Sequence, residues 1–414
     1  MTRQKEPVVL PEVSIGTAGH VDHGKTTLLY AITGIWAAKH SEELKRGITI
    51  RIGFADVNIY KCPSCEGFEA YTTQPVCPNC LSETEFQRRI SFVDCPGHDS
   101  LMSTMLAGTA AMDGAMLVIA ANEPCPRPQT KEHTLALSII GVENVVVVQS
   151  KIELVSKEDA YTHYQSIREF LSKTPYASAP VIPVSAHQRV NLDVVLWAIQ
   201  EYIPTPERDT SLPFQMPVLR SFDVNKPGTP ITELKGGVIG GAPLQGIVRV
   251  GDELEIRPGV FNERQQTYEP LYAEVLEIRS GRHAFDQATP GGLIAIQTDL
   301  DPFYTKSDSL VGNLAGAPGS IPEPISEVEI EHRLFEAVVG TEHEIPVAAV
   351  RKGEPLIVTH RTTLSPGVVT EVRKDAIVMR LKRPICAQAG DRVALSRLIQ
   401  RKWRLIGYGF VRQL

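Results

Sequence analysis

Between residues 12 and 202, short apolar runs rich in β-branched residues alternate with stretches of helical spacing. The runs cover residues 13–15, 90–93, 115–120, 145–148 and 181–184, and strands of that kind joined by helices predict an α/β domain with a parallel sheet. The polar, proline-bearing segment 203–213 ends this pattern. From Met216 onward the apolar runs, such as 246–250 and 254–257, are short, alternating and separated by Gly, Pro, Asn or Asp, which predicts closed β-barrels. A second linker, 316–324, divides that β region in two. The expected plan is one α/β domain over residues 1–206, then β-barrel domains over 207–324 and 325–414.

Composition narrows the class. At 414 residues the chain exceeds the usual size of one core, and 43% hydrophobic with 22% charged residues excludes wholesale disorder or a fibrous protein. The formal charge of −6 excludes a uniformly basic coat, so any nucleic-acid contact needs a local patch. No apolar segment follows the first basic residues, and no run approaches the ~18 apolar residues of a membrane span. The expectation is a cytoplasmic protein with no membrane partner.

The chemistry begins after the first run. Gly19-His20-Val21-Asp22-His23-Gly24-Lys25-Thr26 fits G-x-x-x-x-G-K-[ST] at the start of an expected helix, with Thr27 behind it. The glycines let backbone N–H groups converge on phosphate, the helix N-terminus adds a favourable dipole, and Lys25 adds a point charge. Thr26 would offer its hydroxyl to Mg²⁺. The loop does not by itself separate ATP from GTP. Asp94-Cys95-Pro96-Gly97 follows the run 90–93, where a carboxylate can hold a water on Mg²⁺. Ser150-Lys151-Ile152-Glu153 and Ser185-Ala186-His187 also stand at strand ends. Together they suit guanine, because Glu153 can accept from its N1–H and 2-amino groups, which adenine lacks, while Lys151 can lie along the base.

The seven cysteines are too few for a disulfide scaffold, and four form two Cys-x-x-Cys pairs. Cys62 with Cys65 and Cys77 with Cys80 can close a tetrahedron of thiolates, the structural Zn²⁺ arrangement, in a knuckle over about residues 60–82. Cys95, Cys125 and Cys386 read as small apolar residues. The chain is therefore expected to be an α/β P-loop GTPase domain with a zinc-knuckle insert, followed by two β-barrel domains.

The phosphate loop together with Asp94-Cys95-Pro96-Gly97-His98 resembles the translational GTPases. That resemblance assigns His98 to positioning the attacking water, with Val21 and Ile48 screening it, and Thr49 of Arg46-Gly47-Ile48-Thr49 to Mg²⁺. It also implies catalytic parts for Lys25 and Asp94, and places Asp22 and the backbone of Gly47 near a second Mg²⁺. Ser185 and Ala186 would turn N–H groups toward guanine O6. One departure stands out: the guanine tetrad of the family begins with Asn, here Ser150, so weaker base discrimination is expected.

Within that family the chain is most similar to the initiation branch, the gamma subunits of archaeal and eukaryotic initiation factor 2. The segments 220–229 and 403–409 carry that likeness along with the cysteine insert. It implies GTP-dependent binding of methionylated initiator tRNA, delivery to the small ribosomal subunit, alpha and beta partner subunits, and an activating factor for hydrolysis. The alternatives are an elongation-type GTPase, including the selenocysteine-specific type, and a nucleotide-gated scaffold with little turnover. The knuckle could brace the first switch or meet the ribosome. Arg397, Arg401, Lys402, Arg404 and Arg412, interleaved with Trp403, Tyr408 and Phe410, form either an RNA surface or a terminal strand with solvated arginines.

Overall fold

The computed structural model describes residues 7–36, 53–95, 106, 112–338 and 345–412. These fall into two compact units, one ending at Pro206 and one beginning at Glu207. The first holds a seven-stranded sheet built from β1 (Val13–Ala18), β2 (Gly53–Lys61), β3 (Tyr71–Thr72), β4 (Glu85–Asp94), β5 (Gly114–Ala120), β6 (Asn144–Ser150) and β7 (Val181–Pro183). Its order is β3-β2-β4-β1-β5-β6-β7. The five strands from β4 to β7 in that order are parallel, as the apolar runs predict. All of β5 and all but the first residue of β6 are buried, the property of strands covered on both faces.

The sequence pattern does not announce β2, which pairs antiparallel with β4. Its apolar Ala55, Val57 and Ile59 alternate with Asp56 and Asn58, so it never forms a continuous run. Among the described residues four longer helices lie among the strands: α1 (Lys25–Thr33), α2 (Pro128–Ile140), α3 (Lys157–Ser172) and α4 (Leu192–Tyr202). Leu28 and Leu29 of α1 and Val195 and Ile199 of α4 join Ile15, Phe92 and Val148 in one core. Arg88 of β4, only 7% exposed, fixes the end of α4. Its guanidinium donates to the Ile199 and Ile203 carbonyls at 2.9 and 2.8 Å, to Thr205 Oγ1 at 3.1 Å, and to Gln200, satisfying acceptors that a helix C-terminus leaves open.

The second unit carries two β regions. In the first, the strands β8 (Gln215–Pro217), β9 (Arg220–Phe222), β10 (Val238–Gly241), β11 (Val248–Arg249), β12 (Glu253–Asn262), β13 (Thr267–Ser280), β14 (His283–Phe285), β15 (Gln287–Ala288), β16 (Ile294–Thr298) and β17 (Leu314–Gly316) follow one another. Their main sheet runs β8-β17-β12-β13-β16-β10-β9, with β14 beside β13, and β11 pairs separately with β15. The expectation of full closure is corrected here. The outermost strands, β8 and β9, are neighbours in the chain and switch partners between them: Val218 N–H donates to the Asn313 carbonyl and Leu219 N–H to that of Gly240. The sheet curls round on this segment without a ladder between its edges.

The second β region does close, through β18 (Ile325–Leu334), β19 (Pro355–His360), β20 (Thr363–Val372), β21 (Ala376–Ile385), β22 (Arg392–Ile399) and β23 (Lys402–Arg412) in the ring β18-β21-β20-β19-β22-β23. Segment 316–324 before it is strapped down, since the buried Glu255 carboxylate accepts the Gly319 N–H at 2.8 Å and Arg257 Nε at 2.6 Å, and Arg257 also pairs with Glu323. No helix among the described residues is long and apolar enough to cross a membrane.

Candidate functional site

Among the described residues, those singled out for phosphate, cation and base stand at or just beyond the carboxyl ends of parallel strands, the edge where open α/β sheets bind ligands. Gly19 follows β1, Asp94 ends β4, Ser150 ends β6 and Ser185 lies just beyond β7. Gly19 has φ +134°, and a Cβ there would stand 2.2 Å from the Val118 carbonyl oxygen of β5, so only glycine lets the loop pass. Gly24 at φ +86° and Asp22 at φ +59° complete the curl, and α1 starts at Lys25.

Lys25 is 6% exposed, and its ammonium donates to the carbonyls of Gly19 at 3.0 Å and His20 at 2.7 Å. Burial pushes its pKa down to about 8, against the opposing pull of Asp94. Thr26 Oγ1 donates to Asp94 Oδ2 at 2.6 Å, and Thr17 Oγ1 donates to Asp94 Oδ1 at 2.9 Å. A threonine hydroxyl that donates to a carboxylate presents its oxygen as an acceptor, the donor set a hard divalent cation needs. Residues Thr26 and Asp94 thus fit Mg²⁺. Thr17, which orients Asp94 and also accepts the Cys95 N–H at 3.2 Å, escaped the sequence reading; its only signal is a buried hydroxyl in an apolar strand.

Further tethers hold the loop from outside. The Ser150 hydroxyl donates to the His23 carbonyl at 2.6 Å. His23 Nδ1 lies 3.1 Å from the Val118 carbonyl, and burial lowers its pKa to about 3, which keeps the ring neutral. The Gly19 N–H donates to Nδ1 of His133 on α2 at 2.9 Å. His133 has no counterpart among the sequence candidates, because nothing in its helical spacing marks it.

At the base end, Lys151 takes a left-handed conformation at φ +58° that turns β6 into the short helix Ile152–Leu154, and Ile152 N–H reaches back to the Val184 carbonyl. One oxygen of Glu153 is shielded from solvent yet accepts no hydrogen bond among the described residues. Such an oxygen fits a guanine N–H edge. Ser185 is buried and its hydroxyl accepts the Gln188 N–H at 3.1 Å, while Ala186 is half-buried and His187 exposed. Val21 is half-buried, and Thr27 and Asp22 are exposed.

The four cysteines come together between β2 and β4. Sγ separations are 3.4 Å for Cys62–Cys80, 3.7 Å for Cys65–Cys77 and 3.6 Å for Cys65–Cys80, and all four sulfurs lie within 4.8 Å of one another. A tetrahedron with Zn–S bonds of about 2.3 Å has edges of about 3.8 Å, so the donor set fits that ion. Hydrogen bonds from Ser82 bring the Cys80 thiol down to about 6, whereas burial pushes that of Cys62 up and the neighbouring sulfurs push that of Cys65 up, so the four would become thiolates together only around a cation.

Arg46, Gly47, Ile48, Thr49, Pro96, Gly97 and His98 lie outside the described residues. The basic C-terminal stretch forms β23 and the neighbouring end of β22, with much of its charge engaged. Arg397 pairs with Glu354 at 2.5 Å and Arg412 with Glu331 at 2.9 Å, while Arg404 is 7% exposed. Trp403, Tyr408 and Phe410 are half-buried. This is the arrangement of a terminal strand; Arg401 and Lys402 at its turn remain exposed.

Comparison with known proteins agrees with this geometry. Residues 11–205 match the family described as elongation factor Tu GTP binding domain, which makes the chain a GTPase of the translational class. Residues 326–411 match initiation factor eIF2 gamma, C terminal. The chain is 54% identical over 405 residues to translation initiation factor 2 subunit gamma of Archaeoglobus fulgidus, covering 98% of this chain and 95% of that one. It is 52% identical to the same subunit of Methanocaldococcus jannaschii over 99% of both chains. The chain belongs to the family of translation initiation factor 2 gamma subunits. Solved structures share its fold at lower identity. A bacterial selenocysteine-specific elongation factor has TM-score 0.73 and 24% identity over 97% of this chain and 58% of that one. The elongation factor SelB of Methanococcus maripaludis has TM-score 0.71 and 21% identity over 98% and 80%.

Proposed function

We propose that the chain, with GTP and Mg²⁺ bound, takes up methionylated initiator tRNA, carries it to the small ribosomal subunit beside alpha and beta subunits, and hydrolyses the nucleotide when an activating factor engages it. The observation that carries this reading is the buried Lys25 beside the Thr26–Asp94 pair, on a chain related over nearly its whole length to initiation factor subunits.

The residues act as follows. Lys25 places an ammonium where the β- and γ-phosphates lie, and the loop N–H groups supply the rest of the cradle. Thr26 would hold Mg²⁺ with its hydroxyl, its proton directed to Asp94, with Thr49 completing that set and Asp22 and the backbone of Gly47 serving a second ion. When bound, Mg²⁺ would supply positive charge to offset that on the phosphoryl oxygens. His98 orients water, and Glu153 reads guanine through its shielded oxygen, with Lys151, Ser185 and Ala186 around the base. Ser150 serves the loop with its single hydroxyl, which leaves Glu153 as the main discriminator. Thr49 and the segment around Gly97 register the γ-phosphate, and their release after hydrolysis frees the tRNA. Zn²⁺ in the cysteine knuckle is structural, because four thiolates leave no open position.

Filter binding with labelled initiator tRNA tests this reading, with and without methionine and in GTP and GDP. Tight binding is expected only for the methionylated form with GTP; equal binding across the four conditions overturns it.

A further inference from the structure

The phosphate loop is anchored at its first glycine by a side chain from outside the motif. Gly19 is pinned on one side by the Val118 carbonyl, which a Cβ would strike, and on the other by His133, whose Nδ1 accepts its N–H at 2.9 Å. An imidazole nitrogen that accepts from a backbone amide carries no proton, so the neutral ring must hold its hydrogen on Nε2. His133 is 1% exposed in the middle of α2, and burial, with Lys25 and the loop histidines His20 and His23 adding their influence, keeps it from charging. The same ring protonated would turn a donor toward the Gly19 donor and break the tether.

We propose that His133 is a positioning residue for the nucleotide site: by accepting the Gly19 amide it sets the point where the phosphate loop leaves β1, and so fixes the loop in the shape that receives the phosphates. The inference rests on the assignment of residues 19–26 as that phosphate loop. His133 touches neither nucleotide nor cation in this role. It acts through Gly19, and its influence falls on GDP and GTP alike, because both share the phosphates that the loop encloses. A side chain with an acceptor at the δ position keeps the tether, whereas one with its acceptor at the ε position does not.

The test compares His133→Leu, His133→Gln and His133→Asn with the parent in the full chain, reading dissociation of fluorescent GDP and a GTP analogue. Loss of one neutral hydrogen bond predicts release about three- to tenfold faster for Leu. Gln is expected to behave like Leu, and Asn, whose Oδ1 takes the place of Nδ1, to return toward the parent. A purely packing role would give the opposite order, since Asn leaves the larger void and Leu fills it. Equal release from parent and Leu variant, or an Asn variant no better than Leu, overturns the proposal. Should the variants not fold, ¹⁵N spectra of histidine-labelled parent decide it: an Nε2–H tautomer with unprotonated Nδ1 is expected, and an Nδ1–H tautomer or a charged ring refutes it. A parent that binds neither nucleotide would instead refute the phosphate-loop assignment itself.

Discussion

The phosphate loop and the cysteine knuckle sit in the same unit of the chain, yet they are built in opposite ways. The loop covers eight residues, but its shape is maintained by Val118 of β5, His133 of α2 and Ser150 of β6, the last 127 positions from its partner. The knuckle's sulfurs all fall within 18 positions of one another, and its other bonds are equally local, such as Cys62 N–H to the Ala70 carbonyl and Cys77 N–H to that of Ser82. Among the described residues Leu81 at 78% and Phe68 at 46% exposure stand outside any core, and only the Ala70–Tyr71 side of the knuckle packs on the main one. The loop borrows its rigidity from a buried sheet, whereas the knuckle, with the metal proposed for it, would draw much of its own from that ion.

The sharpest way to break the loop side of this comparison is Gly19→Ala. Its Cβ would lie 2.2 Å from a backbone oxygen, so either the loop or β5 must move. Strain of about 3 kcal/mol corresponds to nucleotide affinity reduced by at least about a hundredfold. Titration calorimetry with GDP would show it, and unchanged affinity would mean that the sheet does not dictate the loop. Lys25→Met should separate function from stability. Burial holds this ammonium near 8, so at pH 7 the folded protein carries a charge it disfavours relative to the unfolded chain. Removing it is expected to abolish tight nucleotide binding without lowering the stability of the nucleotide-free protein, since relief of the buried charge offsets the two hydrogen bonds lost. A variant less stable than the parent contradicts this.

Acid probes the tethers more gently. His23 and His133 titrate near 3 in the folded protein, well below the ordinary value of 6.5. The unfolded chain therefore takes up protons below that ordinary value which the native state refuses, and stability falls as pH drops from 6.5 toward 3. At pH 5 each ring accounts for about 2 kcal/mol of the loss. In denaturant melts at pH 7 and pH 5, His133→Asn should lose about that much less than the parent; an identical loss would place His133 in a solvated setting.

What could be read from the sequence follows the same division. Strands β1 and β4 to β7 are legible because burial on both faces makes them continuous apolar runs, and the knuckle is legible because its ligands repeat a short spacing. The loop's own residues are legible through their glycines and lysine. Its supports are not: His133 looks like any polar helical residue, and Thr17 like any strand threonine. Ser150 was legible as a member of the base tetrad, but the destination of its hydroxyl, the His23 carbonyl, depends on a contact made only after β6 lines up beside β5. The curled sheet of β8 to β17 reads as a closed barrel for a similar reason, since strand alternation carries no information about where a ladder is interrupted.

The smallest expected effect falls where the two regions could communicate. β4 begins at Glu85, just after the knuckle, and ends at Asp94, which accepts the Thr26 hydroxyl, so a disturbance of the cysteines has a covalent path to the cation site. That path crosses two fixed points. Arg88 is locked to the end of α4, and residues 90–93 of β4 are held in register by β1. Stripping Zn²⁺ with a chelator, or replacing Cys77 with Ser, should therefore loosen residues 62–80 in hydrogen exchange yet leave GDP affinity within about twofold, an effect of less than about 0.5 kcal/mol. A tenfold change would show that the sheet transmits what happens at the knuckle, and the phosphate loop could no longer be treated as independent of the metal.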